Sequence, residues 1–153
     1  MKEKFVHYYM GIARSTADLS TARKKKVGAV IVKDGRIISM GYNGTPSGWD
    51  NECETWESKV SFDVAEEDRH IYGEYHTKPE VLHAEANAIA KLARSVESGE
   101  GATLFVTALP CIECAKLIYQ SGINKVCYEE EYVASKGSGK SFLEKCNIQL
   151  TKI

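Results

Sequence analysis

No stretch of this 153-residue chain stays apolar for the ~20 residues that a helical membrane span requires. A basic excess is missing too. Lys and Arg number 20 against 21 Asp and Glu, a formal net charge of −1, which disfavours a surface built to coat nucleic acid. The cysteines number five and are irregularly spaced, so no disulfide framework is expected. There is no second C-x-x-C, as a zinc ribbon would need, and there are no internal repeats. The opening MKEKFVHYYM lacks the apolar stretch and small-residue cleavage site of a secretory signal, so the chain is expected in the cytoplasm, where thiols stay reduced. With 43% hydrophobic and 27% charged residues, the composition is neither disordered nor fibrous, and the length suits one domain.

What is present alternates between strand and helix signals. Phe5, Val6, Tyr9, Ile12, Ala13 and Ala17 recur at helical spacing and predict an amphipathic helix within residues 2–20. VGAVIV (27–32) and IISMGY (37–42) flank Lys33-Asp34-Gly35-Arg36, a pattern that predicts a β-hairpin, and GYNGTPSG (41–48) reads as a loop. Residues 47–82 hold ten acidic side chains against three basic ones, with both tryptophans and no sustained period; a semi-regular acidic insertion that could cover a site is expected there. The pattern then gives a helix over 83–96, a strand over 103–108, a helix over 111–121 closed by Gly122, and a strand over 125–129. A short helix near 141–146 and a strand over 148–152 follow. This order implies a three-layer α/β/α fold around a mixed, roughly five-stranded sheet, a single domain spanning 1–153 with the insertion carried on it.

The chemistry concentrates in two short motifs. Pro110-Cys111-Ile112-Glu113-Cys114 places two thiols three apart at a helix start, where the unpaired N–H groups and the dipole favour thiolates. Alone, a C-x-x-C is a weak signal, shared by redox sites and zinc half-sites. His83-Ala84-Glu85 opens the preceding helix and supplies a nitrogen donor; the two-residue offset to Glu85 aims that carboxylate about 200° away from His83. Three donors and one unligated acid describe a catalytic zinc site that keeps a position for water, with its own proton shuttle. H-x-E followed by P-C-x-x-C is the pattern of zinc nucleobase deaminases. Each residue also has an ordinary reading by itself: His83 as a polar residue at a helix start, Glu85 as a first-turn acid.

Beyond the zinc motifs, VGAVIVKDGRIISMGYNGTPSG, HAEANAIA, LPCIECAKLIYQSGI and VCYEEEY resemble the deoxycytidylate (dCMP) deaminases, including those of bacteriophages, over roughly residues 5–135. The resemblance implies hydrolysis of dCMP to dUMP and ammonia, supplying thymidylate synthesis, with one catalytic Zn²⁺ per chain on His83, Cys111 and Cys114 and Glu85 as the catalytic acid and base. It implies that Asn43 holds the sugar or base, that the Ala84 N–H contacts the pyrimidine carbonyl, and that Tyr132 lines the nucleotide site. It further implies a homohexamer in the cytoplasm (the host's, if phage-encoded), activated by dCTP with Mg²⁺ and inhibited by dTTP. Tyr42 and Gly44 would then lie near the regulatory nucleotide, and Arg94 would communicate between subunits. No nucleic-acid or membrane partner is expected.

A nucleotide phosphate needs cationic partners. Arg23-Lys24-Lys25-Lys26 stands before the first strand, and Arg23 and Lys26 are the candidates taken from it, against the plain alternative of a solvated charged face. Asn43 has an alternative as well, since Asn before Gly is favoured in turns for φ > 0. A second, structural zinc is not expected: TARKKK lacks the cysteine that some relatives carry, and Cys53, His70 and His76 do not complete a set. Cys127 and Cys146 read as buried apolar residues. ASKGSGKS (134–141) nearly spells a P-loop but has Ala for the first glycine, and a flexible loop is the expectation. Two other functions stay open: deamination of another cytosine-containing substrate, and a non-catalytic zinc module closed by Cys127 or Cys53 and used for assembly or nucleotide sensing.

Overall fold

The computed structural model describes residues 1–60, 71–132 and 137–153. Its elements run α1 (Glu3–Ala17), β1 (Gly28–Lys33), β2 (Arg36–Tyr42), β3 (Glu54–Val60), β4 (Ile71–Thr77), α2 (Ala84–Ala93), β5 (Thr103–Ala108), α3 (Ile112–Gln120), β6 (Lys125–Glu130), α4 (Lys140–Lys145) and β7 (Gln149–Lys152). Five strands form one mixed sheet in the order β2-β1-β5-β6-β7. β1 is antiparallel to both neighbours, while β5, β6 and β7 are parallel and joined through α3 and α4. The expected three-layer arrangement around a mixed sheet is what the chain adopts.

Alternation along the strands divides the core. Ala29, Ile31, Leu104, Val106, Val126 and Tyr128 face α2, α3 and α4, and Val30, Val32, Phe105 and Cys127 face α1. β1 is buried on both sides, which is why it reads as an unbroken apolar run. The hairpin turns on Asp34 and Gly35, both at positive φ (49° and 75°), as a tight two-residue connection requires.

The acidic insertion departs from the expectation. Residues 54–60 and 71–77 pair as a regular antiparallel hairpin, from Glu54 opposite Thr77 to Val60 opposite Ile71. Its strands escaped the period-2 test because neither face carries a continuous apolar stripe: Trp56 is 54% exposed, and on the other face Glu57 stands directly opposite Glu74.

β2 is bound tightly to α2. Ser39 Oγ donates to the Ala88 carbonyl (2.6 Å), and Asn87 Nδ2 donates to the Tyr42 carbonyl (2.8 Å). Gly41 lets the two backbones touch: a Cβ there would lie 2.4 Å from the Ala84 carbonyl oxygen and 2.6 Å from the Ala88 nitrogen. This contact fixes the start of α2, and with it His83 and Glu85. Gly41→Ala is therefore expected to destabilise the fold by about 3 kcal/mol, the upper end of overpacking costs, because the obstacle is backbone. Urea unfolding would show it as a lower midpoint with an unchanged slope.

Candidate active site

Two helices begin side by side on one face of the sheet. His83 is the N-cap of α2 and Cys111 the N-cap of α3, both in extended conformation (ψ 152° and 169°), and Cys114 lies in the first turn of α3. Sequence spacing places Cys111 within the helix; the structure sets it one step earlier, with Pro110 ahead of the cap. Cys111 Sγ lies 3.6 Å and Cys114 Sγ 3.4 Å from His83 Nδ1. Tetrahedral zinc with bonds of about 2.05 Å to nitrogen and about 2.3 Å to sulfur needs an N···S separation of about 3.6 Å. The donor set and its spacing thus fit Zn²⁺. Among the described residues it is the only group of three or more His, Cys, Asp or Glu whose donor atoms converge this closely.

The electrostatics agree. Cys111 is held down to about 3 by a hydrogen bond from the Cys114 thiol, against the effect of burial, and with help from His83. The Cys114 thiol is pushed up by that same shared proton and by burial. Without metal the pair keeps one proton between two sulfurs, and a soft cation would displace it. Glu85 is only 4% exposed, and burial raises its carboxyl above the usual range, with a backbone hydrogen bond and His83 opposing. It bears on His83, Cys111 and Cys114 without joining the donor cluster, so it is poised to carry a proton.

Neither rival fourth ligand is present. Cys127 packs against Tyr9, Met10 and Phe105 on the opposite face of the sheet. Cys53 packs with Ala22 and Val81, its Sγ 3.5 Å from Thr21 Oγ1, and His76, which lines the cavity, has its Nε2 near Glu74 (3.3 Å) and Glu57 (3.6 Å) without a hydrogen bond to either. His70 lies outside the described residues.

The near P-loop falls partly outside them as well, at 134–136. Its described part latches onto the cysteine loop: Ile112 N–H donates to the Gly137 carbonyl (3.1 Å) and Gly139 N–H to the Pro110 carbonyl (2.9 Å). A Cβ on Gly139 would lie 2.7 Å from that of Ala115, so this glycine serves close packing.

A cavity of about 340 Å³ opens from the cluster. Its lining includes the buried Ala84, Glu85, Ala108, Leu109 and Cys111, the half-buried His83 and Lys25, and the exposed Lys24 and Tyr132. The Lys25 ammonium pairs with Glu130 and sits 5.3 Å from the centre of the Tyr132 ring.

The structure brings Asn43, Ala84 and Tyr132 to this cavity. Arg23 and Lys26 are not among its lining; Lys24 and Lys25 are. Arg23 turns outward, hydrogen-bonded to Tyr75 and paired with Glu52 (3.3 Å each). Asn43 does not adopt positive φ. Its Oδ1 accepts from Val27 N–H (2.8 Å) and its Nδ2 donates to the Lys25 carbonyl (2.9 Å), so it holds the basic segment in place. Tyr42 is the last residue of β2, Gly44 lies two residues beyond it and exchanges hydrogen bonds with Leu82, and Arg94 is exposed at the end of α2. Glu54, a buried acid lining the cavity, gives no signal in the sequence, because its strand shows no apolar alternation.

A family model described as "Cytidine and deoxycytidylate deaminase zinc-binding region" matches residues 3–130. The deoxycytidylate deaminase of Enterobacteria phage T4 is 40% identical, covering 84% of this chain and 79% of its own. That of Mycobacterium phage D29 is 42% identical, covering 81% and 93%. The crystal structure of the dCMP deaminase of cyanophage S-TIM5, in complex with dCMP and dUMP, superposes with a TM-score of 0.82 at 37% identity, covering 100% of this chain and 99% of the other. No helix among the described residues is long and apolar enough to cross a membrane.

Replacing Cys114 by Ser is expected to strip zinc from the protein as purified, whereas Cys127→Ala is expected to leave it bound. Elemental analysis of both variants, side by side with the parent, is the check.

Proposed function

The chain belongs to the cytidine and deoxycytidylate deaminase family, and we propose that within it this chain hydrolyses dCMP to dUMP and ammonia. The supporting observation is the cavity itself: one opening is lined both by Glu85 and the metal-cluster residues His83 and Cys111 and by Lys24, Lys25 and Tyr132. A base would reach the metal cluster while its 5′-phosphate meets the lysines.

His83, Cys111 and Cys114 would hold one Zn²⁺ per chain. Zinc bound there supplies Lewis-acid chemistry, making a water nucleophilic at neutral pH. The rest falls to this chain's own residues. Glu85 takes a proton from the attacking water as its oxygen bonds to C4 of the pyrimidine, and passes it to the ring nitrogen. It then takes the remaining proton from the new C4 hydroxyl and delivers it to the exocyclic amine, so that the C4 carbonyl forms as the C4–N bond breaks and ammonia leaves. Its raised, desolvated carboxyl suits a group that must both accept and return a proton. In this reading the Ala84 N–H would bind the pyrimidine carbonyl, Asn43 would meet the sugar or base while bracing the basic segment, and Tyr132 would line the nucleotide site; all three residues line the cavity.

The resemblance supports the finer points: a single deaminase domain, a homohexamer in the cytoplasm, activation by dCTP with Mg²⁺ and inhibition by dTTP. Tyr42, Gly44 and Arg94 would serve the regulatory nucleotide and the subunit contacts. Product dUMP would feed thymidylate synthesis.

The test is ammonia release from dCMP, deoxycytidine and CMP in parallel, with and without dCTP and Mg²⁺. Turnover of dCMP well above the others, raised by dCTP, is expected. A preference for deoxycytidine would move the substrate to the free nucleoside. For Glu85→Gln, a fall in kcat on dCMP of about 10³-fold with zinc retained is expected, in the range for loss of a proton-transfer group. Full activity in that variant would contradict the assigned role.

A further inference from the structure

Glu54 is a buried carboxylate at the start of the insertion hairpin, 7% exposed, and the deamination chemistry has no use for it. It lines the cavity, yet its oxygens point at backbone. They accept from the N–H groups of Arg23 (3.1 and 3.2 Å) and Lys24 (3.3 Å).

The segment it grips has no regular structure of its own. Between α1 and β1 it runs as bends and coil, so its shape is set by whatever holds it. On one side that is the insertion. Thr21 Oγ1 donates to the Asn51 carbonyl (2.8 Å), Ala22 packs with Cys53 and Val81, Arg23 reaches Tyr75 and Glu52, and Glu54 binds the two N–H groups. On the other side Asn43 binds the Lys25 carbonyl and the Val27 N–H. Lys24 and Lys25 leave the chain between these two grips and line the cavity, the Lys25 ammonium pairing with Glu130 at its wall. An ionised carboxylate accepting backbone N–H bonds is among the stronger neutral-to-charged contacts, and it spends Glu54's charge on backbone instead of presenting it to a phosphate.

We infer that Glu54 is a positioning residue for recognition of the substrate's 5′-phosphate monoester, and that the acidic insertion's hairpin is thereby a specificity element for nucleotide over nucleoside. This rests on the proposed dCMP deaminase activity. It assigns a task to the part of the chain that the zinc chemistry leaves unexplained.

The test uses the full-length zinc-loaded enzyme and steady-state kinetics on dCMP and on deoxycytidine. Glu54→Gln keeps size but loses charge and one acceptor. It is expected to raise KM for dCMP about tenfold, with kcat changed by less than about threefold, and so to lower the preference for dCMP over deoxycytidine about tenfold, the equivalent of one good charge-assisted hydrogen bond. Added to Lys24→Ala/Lys25→Ala, the same substitution is expected to cost less than about twofold more, since its route of action is gone. Should Glu54→Gln not fold, Glu54→Asp, which keeps the charge and shortens the reach, is expected to shift KM in the same direction. An unchanged or lower KM for dCMP, an equal loss on both substrates, or full additivity with the lysine variant would each overturn the role of Glu54 while leaving the deaminase reading intact. Failure of the unmutated enzyme to turn over dCMP would instead remove that reading, and this inference with it.

Discussion

Everything in this molecule follows from two helices having to start at the same place. α2 and α3 lie on one face of the sheet, and their first residues bring His83, Cys111 and Cys114 within coordinating distance. The dipoles at those two helix starts favour anionic sulfur. The convergence depends on close backbone contacts made by small residues. Gly41 lets β2 meet α2, and Gly139 lets the 137–139 segment meet the cysteine loop. These glycines are distant from the chemistry in sequence, but they determine whether the donors meet.

The fold was largely legible because it is consistent at every level. β1 is buried on both faces and reads as continuous β-branched residues, the hairpin turn needs positive φ and carries Asp-Gly, and the parallel strands are separated by helices of ordinary period. The metal donors and Glu85 were legible for another reason: zinc and proton transfer accept few residue types, and short fixed spacings recur wherever a helix start holds the ligands. What failed to read was the insertion. A hairpin without a continuous apolar stripe has no hydrophobic alternation to detect, so Glu54 and the pairing that positions it leave no trace in the sequence.

The basic segment shows a different limit. Four adjacent cations at 23–26 look interchangeable on paper. Which of them enters the cavity depends on the backbone path of an irregular stretch, and that path is decided by Glu54 from one side and Asn43 from the other. Arg23 is drawn outward by Tyr75 and Glu52, while Lys24 and Lys25 line the cavity. Asn43, singled out for contact with the nucleotide, has both ends of its side chain on backbone, so its first service is to the shape of the pocket wall.

The central idea is an open three-residue metal site with its acid held apart. Zinc-edge X-ray absorption on the purified protein addresses it most directly, because sulfur and lighter donors lie at different distances from the metal. Two sulfurs at about 2.3 Å with nitrogen and oxygen completing four-coordination is the expected result. Three or more sulfurs per zinc would mean that another cysteine closes the site, and would contradict a position kept for water.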